Sequence, residues 1–145
     1  MVDDFGTGWT RLVSLSGDLW LGLAGGELYV GSHDAPIRRV DRARPTGLLP
    51  LLERPRPAVI AELRQCERDV GLGDGFLVAF IPFGAILAEA VASELDYWVH
   101  LALDWLEEYS EKNVATGLLS KIEHAAWATQ HARHRSRHLS KRFAG

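Results

Sequence analysis

The chain holds a single cysteine, Cys66, among 145 residues. No disulfide can form within it, and a reducing, cytoplasmic setting is expected. Cys66 stands at helical spacing from Val59, Leu63 and Val70, which predicts a packed and inert thiol. Lysine is scarce, with 3 among the 16 cationic side chains and arginine making up the rest. Physical chemistry does not ask for that ratio, so it reads as the coding bias of a bacterial genome rich in G and C. Long apolar runs are missing as well. The longest uncharged stretch, Gly75 to Ala88, contains Pro82 and Gly84 and is shorter than the roughly 20 residues a membrane span requires. Met1-Val-Asp-Asp has no basic segment leading into an apolar one, so no signal peptide is read there.

What is present describes an ordinary globular chain. Hydrophobic residues make up 47% and charged residues 24%, close to the averages of folded domains and unlike disordered or fibrous sequences. One domain spanning 1–145 with one core is expected. The formal net charge of -3 conceals a strongly uneven layout. From Glu89 to Glu111 there are seven acids and no Lys or Arg, whereas Arg133 to Arg142 carries five bases, His134 and His138, and no acid. A near-neutral total argues against indiscriminate polyanion binding, while blocks of this size allow selective contacts.

Hydropathy patterning gives the fold class. Trp9 to Gly31 alternates with period two and is interrupted at Ser16-Gly17-Asp18 and Gly25-Gly26, so residues 1–41 read as an antiparallel β-meander of three strands, with Ile37 to Val40 as a fourth. Arg38 and Arg39 suit an edge strand, where charge discourages pairing with other chains. Residues 42–57 hold Pro45, Pro50, Pro55 and Pro57 and form a Pro/Arg-rich connector with one helical turn through Leu48 to Leu52. Residues 58–145 are mainly helical. Pro57 opens a helix that Gly71 closes. Phe76 to Ile81 reads as a short buried strand or as the lead-in to the next helix, with its Phe and Val content favouring the strand slightly. Phe83 to Tyr109 lacks Pro and, beyond Gly84, lacks Gly, which predicts one helix of about seven turns. A second stripe runs through Leu118, Ile122, Ala125, Thr129, Ala132, Ser136, Leu139 and Phe143. The expected result is an α+β protein whose C-terminal half contains a long antiparallel helix hairpin turning near Asn113.

Several constellations bear on chemistry, each with a plain structural alternative. His131, His134 and His138 fall on one helical face and have the spacing of metal ligands, but the surrounding bases would repel a dication, so a solvated basic face is the default and no metal or other cofactor is expected. Asp96, His100 and Asp104 bracket an imidazole with carboxylates, as a general base and its orienting acid would, and equally as an ordinary polar seam would. No nucleophile carries a surrounding motif. Gly71-Leu-Gly-Asp-Gly75 follows a helix and lacks the Gly-Lys-Ser/Thr ending of a phosphate loop.

The acidic helix breaks a local rule. Asp104, Glu107, Glu108 and Glu111 crowd its C-terminal turns, where the helix dipole already places partial negative charge. In a hairpin turning near Asn113 the bases at 133–142 would lie beside 85–96 and meet Glu89, Glu94 and Asp96, leaving those four acids unpaired. The reading is therefore a non-catalytic module that binds another protein through charged helical faces, a profile shared with immunity proteins, antitoxins and adaptors. The expected contact residues are Asp104, Glu107, Glu108, Tyr109 and Glu111, with a basic toxin or an assembly component as partner. A secondary basic face of Arg133, Arg135, Arg137, Lys141 and Arg142 supports the alternative of nucleic-acid binding. An enzyme using the Asp96/His100/Asp104 seam is a further alternative. Homodimerisation through the broad apolar faces is also foreseen, because 5 Trp are many for so small a core.

Overall fold

A computed structural model describes residues 8–108 and 112–144, and Tyr109 and Glu111 lie outside that set. Four strands, β1 (Thr10–Ser16), β2 (Leu19–Ala24), β3 (Glu27–Gly31) and β4 (Pro36–Arg39), form one antiparallel sheet in sequence order. This is the meander that the period-two pattern predicts. Gly25 and Gly26, both at positive φ, make the tight β2–β3 turn, whose twist matches the flanking strands. The register places Trp20 opposite Gly31 and Gly22 opposite Tyr29 on one face, while Leu21, Leu23, Leu28 and Val30 share the other. The second face joins the core.

The first face has its own anchor. Trp9 is fully buried, donates from Nε1 to the carbonyl oxygen of Ser32 at 3.1 Å, and seats its ring over Gly22 and Gly31. A Cβ at Gly22 would overlap the Trp9 ring and the Thr10 carbonyl, and one at Gly31 would come within 2.7 Å of the same ring. Both glycines are there to make room for the indole.

The connector turns out to belong to the core. A 3-10 helix (Thr46–Glu53) buries Leu48, Leu49, Leu51 and Leu52. α1 (Arg56–Val70) starts behind Pro55 and ends at Gly71 in the left-handed conformation, and it contributes Val59 and Leu63. The Cys66 thiol donates to the carbonyl oxygen of Leu12 at 2.9 Å, closing a bond at the outer edge of β1. Burial, with Glu62 next in effect, pushes that thiol above its usual pKa.

Residues 76–81, expected as a strand, instead contain a short helix, α2 (Phe76–Phe80). The cause is tertiary. Glu67 is fully buried on α1, and its two carboxylate oxygens accept from the backbone N–H of Gly75 at 2.9 Å and of Leu77 at 2.7 Å. Those donors lie at the N-cap and in the first turn of α2, where a helix has no internal acceptors to offer.

The expected seven-turn helix is two helices, α3 (Phe83–Ala92) and α4 (Asp96–Leu106). Ser93 makes the break: its hydroxyl donates to the carbonyl oxygen of Ala90 at 2.6 Å and accepts from the N–H of Leu95 at 3.2 Å, an alternative to helical pairing. Glu94 follows at φ 59. The last apolar stripe is likewise divided, into α5 (Lys112–Glu123) and α6 (Gln130–Ala144), which pack on each other. Thr129 opens α6 by accepting from the N–H of Ala132 at 3.1 Å. An α+β chain with a β-meander followed by a helical half is thus observed, around one cluster that joins sheet, 3-10 helix and α1 to α6.

Two stability measurements follow. Glu67→Ala should cost about 2–4 kcal/mol in denaturant unfolding, since two buried N–H groups lose their acceptor, and Glu67→Gln should recover only part of it because its amide end presents a donor to a donor. Gly22→Ala should lower stability by about 1–3 kcal/mol through overpacking against Trp9, visible as a reduced thermal midpoint.

Candidate functional site

The two breaks change which helices are neighbours. With α5 as an extra return, α6 runs beside α4 in the same direction: Thr129 meets Asp96, His131 meets His100, and Arg135 meets Asp104 and Glu107. The antiparallel placement of 133–142 beside 85–96 is therefore corrected. Glu89 is reached by Arg44, at 3.4 Å, and by the hydroxyl of Thr46, at 3.2 Å, both from the connector rather than from α6.

The seam is built from α4 upward. Asp96, in the first turn of α4, accepts from the Thr129 hydroxyl at 3.0 Å, and Nε2 of His100 lies 3.3 Å from the same carboxylate oxygen. The rings of His100 and His131 are 4.8 Å apart and tilted by 40°. Arg135 fills the next turn. Its Nη1 donates to the carbonyl oxygen of His100 at 3.2 Å and faces Nδ1 of His100 at 3.3 Å, while Nη2 bonds Asp104 and, at 3.1 Å, Glu107. A guanidinium has no lone pair to offer, so Nδ1 of His100 is the acceptor in this contact and Nε2–H faces Asp96. Both ring nitrogens are thus engaged.

Arg135 is mostly covered, with 22% of its side chain exposed. Burial alone would lower its pKa. The bonds to Asp104 and then Glu107 outweigh that effect and hold it above the usual arginine value. Asp104 and Glu107, expected to be unpaired, are thus both paired with this base. Glu108 is exposed and has no cationic partner among the described residues.

The other expected positions are scattered by comparison. On the basic face Arg137 pairs with Glu123 at 3.2 Å, Arg133 is half-buried, and Lys141 and Arg142 are exposed. His131, His134 and His138 line an open groove of about 460 Å³ together with Gln130 and Arg135. Among the described residues, no three His, Cys, Asp or Glu stand where they could share a metal ion. Arg39 pairs with Glu27 across the sheet edge at 3.2 Å, in keeping with an edge-strand role.

Comparison with protein-family models, with characterised proteins and with solved structures gave no match.

Sequence reasoning missed Arg135 as the hub; Ser136 beside it, on the expected apolar stripe, is buried and its hydroxyl has no hydrogen-bond partner among the described residues. Two signals for the correct pairing were in the chain. Ser93 and Thr129 are each a hydroxyl residue preceding a helix, and each marks a break. The seam predicts that Arg135→Ala destabilises the fold by about 1 kcal/mol and that Arg135→Ala with Asp104→Asn is less than additive. A double-mutant cycle from urea unfolding measures it.

Proposed function

We propose that the protein is a small non-catalytic module that binds another protein through charged helical faces, in the manner of immunity proteins, antitoxins and adaptors. One observation carries the reading: the seam between α4 and α6 satisfies itself and leaves its acidic end facing outward. His100, the residue with the makings of a general base, has both ring nitrogens engaged by Asp96 and Arg135. A base so placed has no free lone pair to take a substrate proton. Asp104 and Glu107 remain 59% and 43% exposed while bonded to Arg135, and Glu108 is exposed beside them.

Arg135 gives this acidic end a defined geometry. Two of its carboxylates are held in place before any partner arrives, so little side-chain entropy is lost on binding. A partner with a basic surface, such as a nuclease-like toxin, would meet an array of carboxylates where it otherwise meets phosphates, and long-range attraction would speed encounter. The bases of α6 offer less to nucleic acid than their number suggests. Arg135 and Arg137 are already matched by acids. No helix among the described residues is long and apolar enough to cross a membrane. The proposal includes a cytoplasmic setting, which the lone Cys66 thiol fits.

The test uses the intact chain as immobilised bait in an extract of its native source. A basic protein should be retained by the wild type, released by moderate salt, and lost on Glu108→Lys combined with Glu107→Gln. With that partner purified, the variant should associate roughly tenfold more slowly at low salt, with little change at high salt. Retention unaffected by these changes would overturn the assignment of this surface. Retention of nucleic acid, abolished by removing the charges of Lys141 and Arg142, would favour the nucleic-acid reading.

A further inference from the structure

A second surface, on the side of α3 and α5, is independent of the acidic end. A groove of about 330 Å³ has Ala88, Ala92, Ala125 and Trp127 among its lining residues, with Glu94 and Lys121 as its only charged ones. Neither Glu94 nor Lys121 forms an ion pair among the described residues. Leu95, next in the chain to Glu94, is 57% exposed, one of the few large apolar side chains left to solvent. The bond from Thr129 to Asp96, at 3.0 Å, ties the segment that follows Trp127 to the start of α4, next to the groove-lining Glu94 and the exposed Leu95.

The link between α3 and α4 that presents this patch is held under strain. Glu94 sits at φ 59, in a region that non-glycine residues adopt at a cost, and the two hydrogen bonds of Ser93 fix it there. The result is a rigid corner that projects Leu95 and one carboxylate outward. A flexible link would present neither in a fixed place.

We propose that this patch is the interface for a second copy of the chain, related by a twofold axis. The charge layout selects that occupant. A surface of one sign needs a partner of the other sign, as the acidic end of α4 does, and it repels its own copy. A groove bearing one acid and one base is neutral and can be its own complement: a twofold axis sets Glu94 against Lys121 of the partner subunit, and Lys121 against the partner subunit's Glu94. The three alanines leave room for a protruding side chain, and Leu95 is such a knob. Trp127 then supplies the aromatic anchor usual at the centre of an interface.

Sedimentation equilibrium of the full chain over micromolar to submillimolar concentrations tests this. The wild type should approach twice its 16.1 kDa mass. Leu95→Glu should leave a monomer. Glu94→Lys and Lys121→Glu should each weaken dimerisation at least tenfold, because each sets like charges against each other twice across the axis. The double variant Glu94→Lys with Lys121→Glu should restore the dimer, since the swapped pair is again complementary. Circular dichroism melts confirm that each variant is folded, and Lys121→Glu, on the surface of α5, serves if the strained Glu94 position tolerates substitution poorly. A wild type that stays monomeric throughout overturns the proposal, and so do single charge reversals without effect or a double variant no better than its parents. Because Glu107 and Glu108 are untouched, failure here is distinguishable from failure of the partner-binding reading.

Discussion

One guanidinium, that of Arg135, ties the last helix to α4. It meets the His100 backbone and ring on one side and the carboxylates of Asp104 and Glu107 on the other. The charges at the end of α4 are unfavourable in isolation, because they add to the negative pole of the helix dipole. The Arg135 cation beside them offsets part of that unfavourable field and leaves the end of α4 acidic. α6, whose own sequence would otherwise be a repulsive run of bases, gains an acidic neighbour at the point where its cationic side chain is most covered. Each helix therefore corrects the electrostatic fault of the other.

The same logic recurs elsewhere at smaller scale. Glu67, an acid with no exposure at all, is tolerated in the core because two backbone N–H groups point at it, and it in turn fixes where α2 begins. Trp9 is tolerated on the outer face of the sheet because two glycines leave it a seat and Ser32 takes its N–H. In all three cases a residue that looks misplaced by its type is matched by a feature distant in sequence. The surface that results has two characters: an acidic end shaped by Arg135, and a neutral apolar groove framed by Glu94 and Lys121. These favour different occupants, since the first repels its like and the second does not.

Much of the architecture was legible in the chain. Period-two alternation with Gly25-Gly26 turns specifies a meander because a hairpin of that length needs positive φ at its tip, and only local residues decide this. The α1 boundaries were equally readable from Pro57 and Gly71, since proline and glycine act through their own backbone. The breaks at Ser93 and in 124–129 were not read. An absence of Pro and Gly permits a continuous helix without requiring one, and a serine or threonine interrupts it only when the flanking helices gain more by packing separately. For the candidate site, the spacing states that Asp96, His100 and Asp104 share a face but not which end of the last helix meets them, because one further break reverses the direction of everything after it.

By itself the sequence determined the strands from alternation, the turns from glycine, the helical character of the C-terminal half from periodic apolar residues, and the two blocks of opposite charge. These follow from interactions within a few residues, which the order of amino acids states directly. Only the tertiary structure decided which blocks meet. The pairing of Arg135 with Asp104 and Glu107, the burial of Glu67 and the exposure of Leu95 depend on how many times the chain reverses between them, and that number is set by the packing of the whole core.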